Sequence, residues 1–170
     1  MKPLRLLALA AAAAGACAVR IPPSQRPHLA IVTAVSFAED SGVTADIREC
    51  DLAAELIEEL EDEAERYFQI GLVGDYKGLR GRVLVMRFAH VQGAGGGGIS
   101  GSKSVTLIGR LLQDGEVVAS FTAQRSTMNA YLGGYYRSTC DLLEHVTGEL
   151  AEDVTDWLRE PTLGALLGDL

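Results

Sequence analysis

The sequence predicts one α+β domain, in which two helices pack on one face of a mostly antiparallel sheet of four to five strands. Three observations indicate this class: the element order strand, helix, three strands, helix, two long stretches of helical periodicity, and one tight hairpin signal. The chain has 170 residues, 48% of them hydrophobic, which is too apolar for a disordered tail. We assign residues 28–170 to this domain.

The first strand is predicted from His28 to Ala38, because bulky and small side chains alternate along it. The bulky positions are Leu29, Ile31, Thr33, Val35 and Phe37. The first helix is predicted between Asp51 and Phe68, where apolar residues recur at spacings of one, three and four. Gly71 is expected to end this helix.

The remaining elements follow in the same way. Gly81–Gln92 alternates like a second strand, and Lys103–Thr127 contains two more strands around the dipeptide Asp114-Gly115. This dipeptide favours a tight hairpin, because both turn positions need a positive φ. Ser138–Arg159 has one apolar face and is predicted to be the final helix. The tail, residues 162–170, is expected to be a packed extension.

Residues 1–16 are predicted to be a secretory signal peptide. Lys2 and Arg5 precede an apolar run over Leu6–Ala14, and the small residues Gly15 and Ala16 follow. A charged start, a short apolar middle and a small-residue exit are typical of such signals, and the run is too short for a permanent membrane span.

The end of the signal resembles the lipobox of bacterial lipoproteins, in which the cysteine, here Cys17, becomes the first mature residue and is acylated with chains such as palmitate. Residues 17–27 are then a lipid anchor and a proline-rich tether. No Asp follows Cys17, which in this resemblance implies the periplasmic side of the outer membrane. Lipoboxes usually have Leu where Ala14 stands, so a secreted protein with an incidental Cys17 remains the alternative.

The charge of the chain limits its partners. The net charge is −8, and removal of Lys2 and Arg5 with the signal peptide makes it −10. Binding to nucleic acid or anionic headgroups depends on Lys and Arg that neutralise phosphates. We therefore expect no nucleic-acid partner, and contact with the membrane only through the lipid.

One face of the first predicted helix is strongly acidic. The exposed positions that define it are Glu58, Glu59, Asp62 and Glu65. A docking face for a basic partner and an ordinary solvated surface both fit this pattern. Repulsion between like charges at helical spacing opposes folding by a few tenths of a kcal/mol per pair, roughly.

No catalytic, cofactor-binding or metal-binding motif stands out. Asp141, His145 and Glu149 share a helical face, but the surface charge of an amphipathic helix explains them. Gly93–Gly98 formally satisfies the dinucleotide fingerprint, yet a strand follows it where that motif needs a helix. We therefore expect a protein without enzymatic activity, cofactor or metal.

Two cysteines remain in the mature chain besides Cys17. Cys50 and Cys140 each precede or begin a predicted helix and lie 90 positions apart. In an oxidising compartment an even pair suggests a disulfide, while two free thiols remain the alternative.

Several turn and hydrophobic patterns resemble bacterial lipoproteins of the domain of unknown function family 4410. The resemblance covers roughly residues 28–160 and is carried by Gly74–Arg82, Gly115–Phe121, Gly133-Gly134, Thr139-Cys140 and Asp156–Leu158. It implies a lipobox anchor and a domain of strands and helices, and it supplies no catalytic residue.

Together these features predict a non-catalytic outer-membrane lipoprotein that faces the periplasm. It would bind an envelope protein through its sheet face or its acidic helix. The alternative is a carrier of a small apolar ligand, which would need a cavity between the sheet and the helices.

Overall fold

A computed structural model of the chain describes residues 22–93, 103–127, 131–132, 135–136 and 138–170. The predicted signal peptide, the anchor residue Cys17 and most of the glycine-rich stretch, residues 94–102, lie outside the described residues. The predictions made for those segments therefore stay predictions.

The described residues form a short 3-10 turn at Pro23–Gln25, three helices and nine strands. The helices are α1 (Ala45–Arg48), α2 (Leu52–Ala64) and α3 (Thr139–Arg159). The strands are β1 (His28–Val32), β2 (Ser36–Phe37), β3 (Gln69–Val73), β4 (Arg82–Gln92), β5 (Lys103–Gln113), β6 (Glu116–Thr127), β7 (Tyr131–Leu132), β8 (Tyr135–Tyr136) and β9 (Ala165–Gly168).

The main sheet has seven strands and is mixed, with the order β3-β1-β4-β5-β6-β9 and with β2 beside β4. Only β4, β5 and β6 pair antiparallel, whereas β1 with β3, β1 with β4, β2 with β4 and β6 with β9 are parallel. The α+β class with two long helices is confirmed. The prediction of a mostly antiparallel sheet of four to five strands is wrong, because β3 and β9 are short strands whose pairing is long-range.

The first predicted strand is split, and the first predicted helix ends early. β1 stops at Val32, where the N–H of Thr33 donates to the carbonyl of Val73, and β2 resumes the pairing with β4 four residues later. Helix α2 ends at Ala64, and Gly71 lies within the edge strand β3. The prediction that Gly71 ends the helix is wrong, because the chain turns at Glu65–Phe68 without a glycine.

The predicted hairpin is confirmed. Asp114 and Gly115 both have positive φ, at 55° and 94°, as a two-residue turn between right-twisted strands requires. The Asp114 carboxylate also accepts a hydrogen bond from the Gly81 N–H at 2.8 Å, which links the turn to the start of β4.

Helices α2 and α3 cover one face of the sheet, and the layer between them is a continuous apolar core. Its fully buried side chains include Leu56, Leu60, Leu84, Phe88, Leu107, Phe121, Leu143 and Leu150. Gly109 leaves room for the Phe121 ring, since a Cβ there would lie 2.1 Å from a ring carbon. Trp157 then packs edge-on against Phe121, with 4.8 Å between the ring centroids.

The tail packs only in part: it adds the edge strand β9 beside β6, but Leu163 and Leu166 stay 70% and 68% exposed. Arg125 on β6 donates two hydrogen bonds of 2.7 Å to Asp153 on α3 and lies 3.7 Å from Asp169 in the tail. Gly168 crosses this cluster with φ 74°, where a Cβ would lie 2.3 Å from the carbonyl of Gln124. The tail is therefore fixed to both layers of the domain.

Candidate functional site

The outer surface of the helix layer contains the acidic residues that the sequence analysis singled out. Cys50, just before α2, is bonded to Cys140 in the first turn of α3, with 5.1 Å between the Cα atoms. Of the two alternatives for these cysteines, the structure has the disulfide and not two free thiols. It fixes the starts of the two helices next to each other, so the helices run side by side in the same direction.

A groove between the two helices is lined almost entirely by acidic residues. It measures about 380 Å³, and we call it the acidic groove. Its lining residues are Glu55 and Glu59 from α2 and Asp141, Glu144, His145, Gly148, Glu149 and Glu152 from α3. The missing side chain at Gly148 leaves space for Glu59, whose carboxyl carbon lies 3.9 Å from the position that a Cβ would take.

The environment of Glu59 shows how strongly charge accumulates here. Partial burial raises the pKa of Glu59, and the nearby carboxylates of Glu55, Asp62, Glu58 and Glu63 raise it further. Each of these neighbours disfavours the ionised form, since like charges repel. A cation in the groove would remove this repulsion.

Few local cations balance these carboxylates. His145 lies 3.6 Å from Glu149, and Arg66 lies 2.7 Å from Glu63 at the end of α2. The first contact is an ion pair only when His145 is protonated, and the second is a surface ion pair, which contributes little to stability. The acidic groove therefore keeps a net negative charge.

The structure separates the four residues predicted to form the partner face. All four are exposed: Glu58, Glu59 and Asp62 on α2, and Glu65 at its C-cap. Glu59 lies in the acidic groove, whereas the other three lie outside the groove lining. We call these three the outer strip.

The sequence pattern grouped Asp141, His145 and Glu149 on one face of α3, but it did not identify Glu144, Gly148 and Glu152 as part of the same wall. Glu144, Gly148 and Glu152 recur every four residues and so share one side of α3, a signal that the sequence does contain. Which side of α3 meets α2 depends on tertiary packing. The pattern alone therefore did not connect these residues to Glu59.

Asp141, His145 and Glu149 all lie along the α3 wall of the acidic groove. The Asp141 carboxylate accepts a hydrogen bond from the Ser138 N–H at 2.9 Å and so completes the capping box at the start of α3, where Ser138 is the N-cap. Within the ranges that the structure describes, no group of three or more His, Cys, Asp or Glu side chains is placed to hold a metal ion. In the same ranges, none of the helices has the length and hydropathy of a membrane-spanning helix.

No family model and no curated protein matches the sequence, but solved structures share its fold. A Xanthomonas campestris protein of the domain of unknown function family 330 is similar with a TM-score of 0.52 and 13% identity, over 80% of this chain and 85% of that one. An uncharacterized protein is similar with a TM-score of 0.53 and 12% identity, over 78% and 93%. At these identities the likeness defines the fold alone.

A minor lipoprotein from Acinetobacter baumannii is also similar, with a TM-score of 0.39 and 14% identity, over 84% of this chain and 96% of that one. That score is too low to support an argument. The resemblance to family 4410 stays a prediction.

Proposed function

We propose that this protein is a non-catalytic lipoprotein of the outer membrane, anchored through Cys17 on the periplasmic side, that binds a basic envelope protein. The acidic groove and the outer strip would together form the binding surface. The observation that carries the proposal is the row of carboxylates from both helices along the acidic groove. Partial burial and then the neighbouring carboxylates raise the pKa of Glu59 within it.

The distribution of charged residues along α2 supports a role in binding. Its C-terminal half contains Glu61, Asp62 and Glu63, and its last turn has no basic residue. Carboxylates near a helix C-terminus oppose the helix dipole, and at helical spacing they repel one another. Residues that work against local stability are typical of functional sites. Lysine or arginine side chains from a partner would offset both effects.

The anchor would keep this surface close to the membrane. About ten residues separate Cys17 from β1, and they reach less than the roughly 30 Å of a fully extended segment. Pro23–Gln25 forms a 3-10 turn, and the Pro23 carbonyl accepts a hydrogen bond from the Gln69 side chain at 3.0 Å. Intact mass of the mature protein tests the anchor, because a chain beginning at acylated Cys17 has added diacylglycerol and acyl mass. A mature chain that begins elsewhere would refute this part of the proposal.

Charge reversal tests the binding surface. The test variant replaces Glu58, Glu59, Asp62 and Glu65 with Lys, and the control replaces four other exposed acids, Glu39, Asp40, Glu116 and Glu160. Both variants have the same net charge. After crosslinking in membranes and pull-down, we expect the test variant to lose a salt-sensitive partner that the wild type and the control retain. Equal capture by both variants would exclude this surface.

A second pair of substitutions locates the site more closely. Glu144→Lys with Glu152→Lys reverses charge on the α3 wall of the groove and leaves α2 intact. If the partner enters the acidic groove, this variant also loses capture. Retained capture would restrict binding to the outer strip.

We do not propose a carrier of a small apolar ligand. Such a carrier needs space between the sheet and the helices, and the side chains there form one continuous buried cluster. The clefts described for this protein lie on its outer surfaces.

A further inference from the structure

The other face of the sheet is not covered by α2 or α3, and we call it the open face. On β4 the side chains of Leu84, Met86 and Phe88 point into the core, so those of Val85 and Arg87 point to the open face. On β5 the same alternation places Ile108 and Arg110 there.

Two arginines therefore lie side by side on neighbouring strands. Arg87 pairs in register with Ile108, and Arg110 pairs with Val85. The two arginines are diagonal neighbours, and on one face of an antiparallel pair such residues are roughly 7–8 Å apart between Cα atoms. Their guanidinium groups repel each other unless an anion lies between them.

Within the part of the chain that the structure describes, neither Arg87 nor Arg110 has an ion pair or a hydrogen bond from its side chain. Other arginines of this acidic protein contact carboxylates: Arg66 with Glu63, Arg125 with Asp153, and Arg159 with Asp156. The open-face pair thus keeps its full positive charge in a chain with a net charge of −8.

The two arginines line a cleft of about 380 Å³, which we call the open-face cleft. Its walls also contain the apolar side chains Val32, Ala34, Val85 and Ile108, and the half-exposed ring of Tyr76 at its rim. Ser36 pairs in register with Arg87 and adds a hydroxyl.

Asp75 is the one carboxylate among these lining residues. One of its oxygens, Oδ1, accepts hydrogen bonds from the backbone N–H groups of Tyr76 at 2.7 Å and Lys77 at 3.3 Å. It holds its own turn in place and forms no ion pair with the two arginines. The lining of the cleft therefore combines two arginines that have no carboxylate partner among the described residues with a set of apolar side chains.

We propose that the open-face cleft binds an oxyanion, a carboxylate or a phosphate, that is attached to a small apolar body. Arg87 and Arg110 hold the oxyanion, because guanidinium groups match the planar geometry and charge of such groups. The apolar body packs on Val85, Ile108 and the Tyr76 ring. This site lies on the opposite side of the sheet from the acidic groove, so the proposal stands independently of the proposed function.

Titration calorimetry with four small probes tests the proposal. Octanoate and octyl phosphate have an oxyanion on an apolar chain, inorganic phosphate lacks the chain, and octylammonium has the opposite charge. We expect at least one of the first two to bind the wild type about ten-fold tighter than inorganic phosphate, and octylammonium not to bind. The comparison of octanoate with octyl phosphate identifies the preferred oxyanion.

Single substitutions assign the binding to the two arginines. Arg87→Gln and Arg110→Gln should each weaken the binding of the preferred probe about ten-fold, because each removes a charge-assisted hydrogen bond. The matched control is Arg80→Gln, which removes one exposed positive charge outside the cleft lining and should change affinity less than about two-fold.

Three results would overturn the proposal. The first is that neither octanoate nor octyl phosphate binds at millimolar concentration. The second is that all three variants lose affinity for the preferred probe equally. The third is that inorganic phosphate binds as tightly as octyl phosphate. The last result would show that the apolar wall takes no part. All substituted residues are exposed, so the variants are expected to fold, and near-ultraviolet circular dichroism confirms this before titration.

Discussion

The two long helices of this domain pack against each other but differ in how well their sequences suit a helix. At the start of α3, the Ser138 hydroxyl accepts from the Asp141 N–H at 3.1 Å and the Asp141 carboxylate accepts from the Ser138 N–H at 2.9 Å. Arg159 lies in the last turn of α3. Helix α2 begins at Asp51, which has a φ of 38° and no capping bond from its side chain, and its last turn has no basic residue.

This difference distinguishes polar residues that stabilise their own helix from polar residues that do not. The polar residues at both ends of α3 satisfy free backbone groups or complement the helix dipole. The carboxylates along α2 do neither at its C-terminal end, and they repel each other. Stability accounts for the polar residues at the two ends of α3. The carboxylates of α2, and those that α3 contributes to the acidic groove, call for another explanation, which we propose is the binding of a basic partner.

The largest effect should come from breaking the bond that joins the starts of the two helices. Replacement of Cys50 and Cys140 with Ser opens a loop closed over 90 residues. In the chain-entropy model this lowers the free energy of unfolding by up to about 4–5 kcal/mol. Urea denaturation measures the change. The wild type should lose stability on reduction and the double variant should not, while equal midpoints for the two proteins would contradict the prediction.

The caps of the two helices should respond differently to mutation. Ser138→Ala removes the capping box of α3 and should lower the free energy of unfolding by about 1 kcal/mol. Asp51→Asn is the matched change at α2, where no side-chain cap exists and where Asn tolerates the left-handed backbone. It should shift stability by about 0.5 kcal/mol or less. Similar losses of stability in both variants would show that the two helices do not differ in N-terminal capping.

Glu59 should make the stability of the protein depend on pH. Because its folded pKa is raised above 4.5, its contribution to stability is present in acid and is lost as the pH rises through the raised pKa. Glu59→Gln should therefore raise the free energy of unfolding by a few tenths of a kcal/mol, roughly, at neutral pH and by nothing near pH 3.5. Urea denaturation at both pH values checks this. Glu116→Gln, on the exposed hairpin, should change neither value.

Local signals in the sequence predicted part of the fold correctly. The Asp114-Gly115 hairpin and helix α3 depend on residues close together in the chain, and both were found with near-correct ends. Strands β3 and β9 each have five residues or fewer and pair in parallel with partners about 40 residues away. A short stretch of sequence does not show which distant strand it pairs with. The predicted sheet therefore had too few strands and lacked the parallel pairs of β3 and β9.

The partner face was predicted on α2 alone, and the groove residues Asp141, His145 and Glu149 of α3 were interpreted as ordinary surface charge. The periodicity of α2 placed Glu58, Glu59, Asp62 and Glu65 on its exposed surface, as the structure has them. The register between the helices brings Glu59 against Gly148 and adds the α3 wall. A register of this kind is set by how the side chains of two helices interlock, and the sequence of one helix does not contain it.

The most direct test of the account is the stability of a protein whose α2 carboxylates are neutralised. The variant contains Glu58→Gln, Glu59→Gln, Asp62→Asn and Glu65→Gln, and the control neutralises Glu39, Asp40, Glu116 and Glu160 in the same way. If these charges serve binding at the expense of folding, the α2 variant should unfold with a free energy about 1 kcal/mol higher than the wild type at low salt, and the control should not. An α2 variant no more stable than the wild type would contradict the central claim.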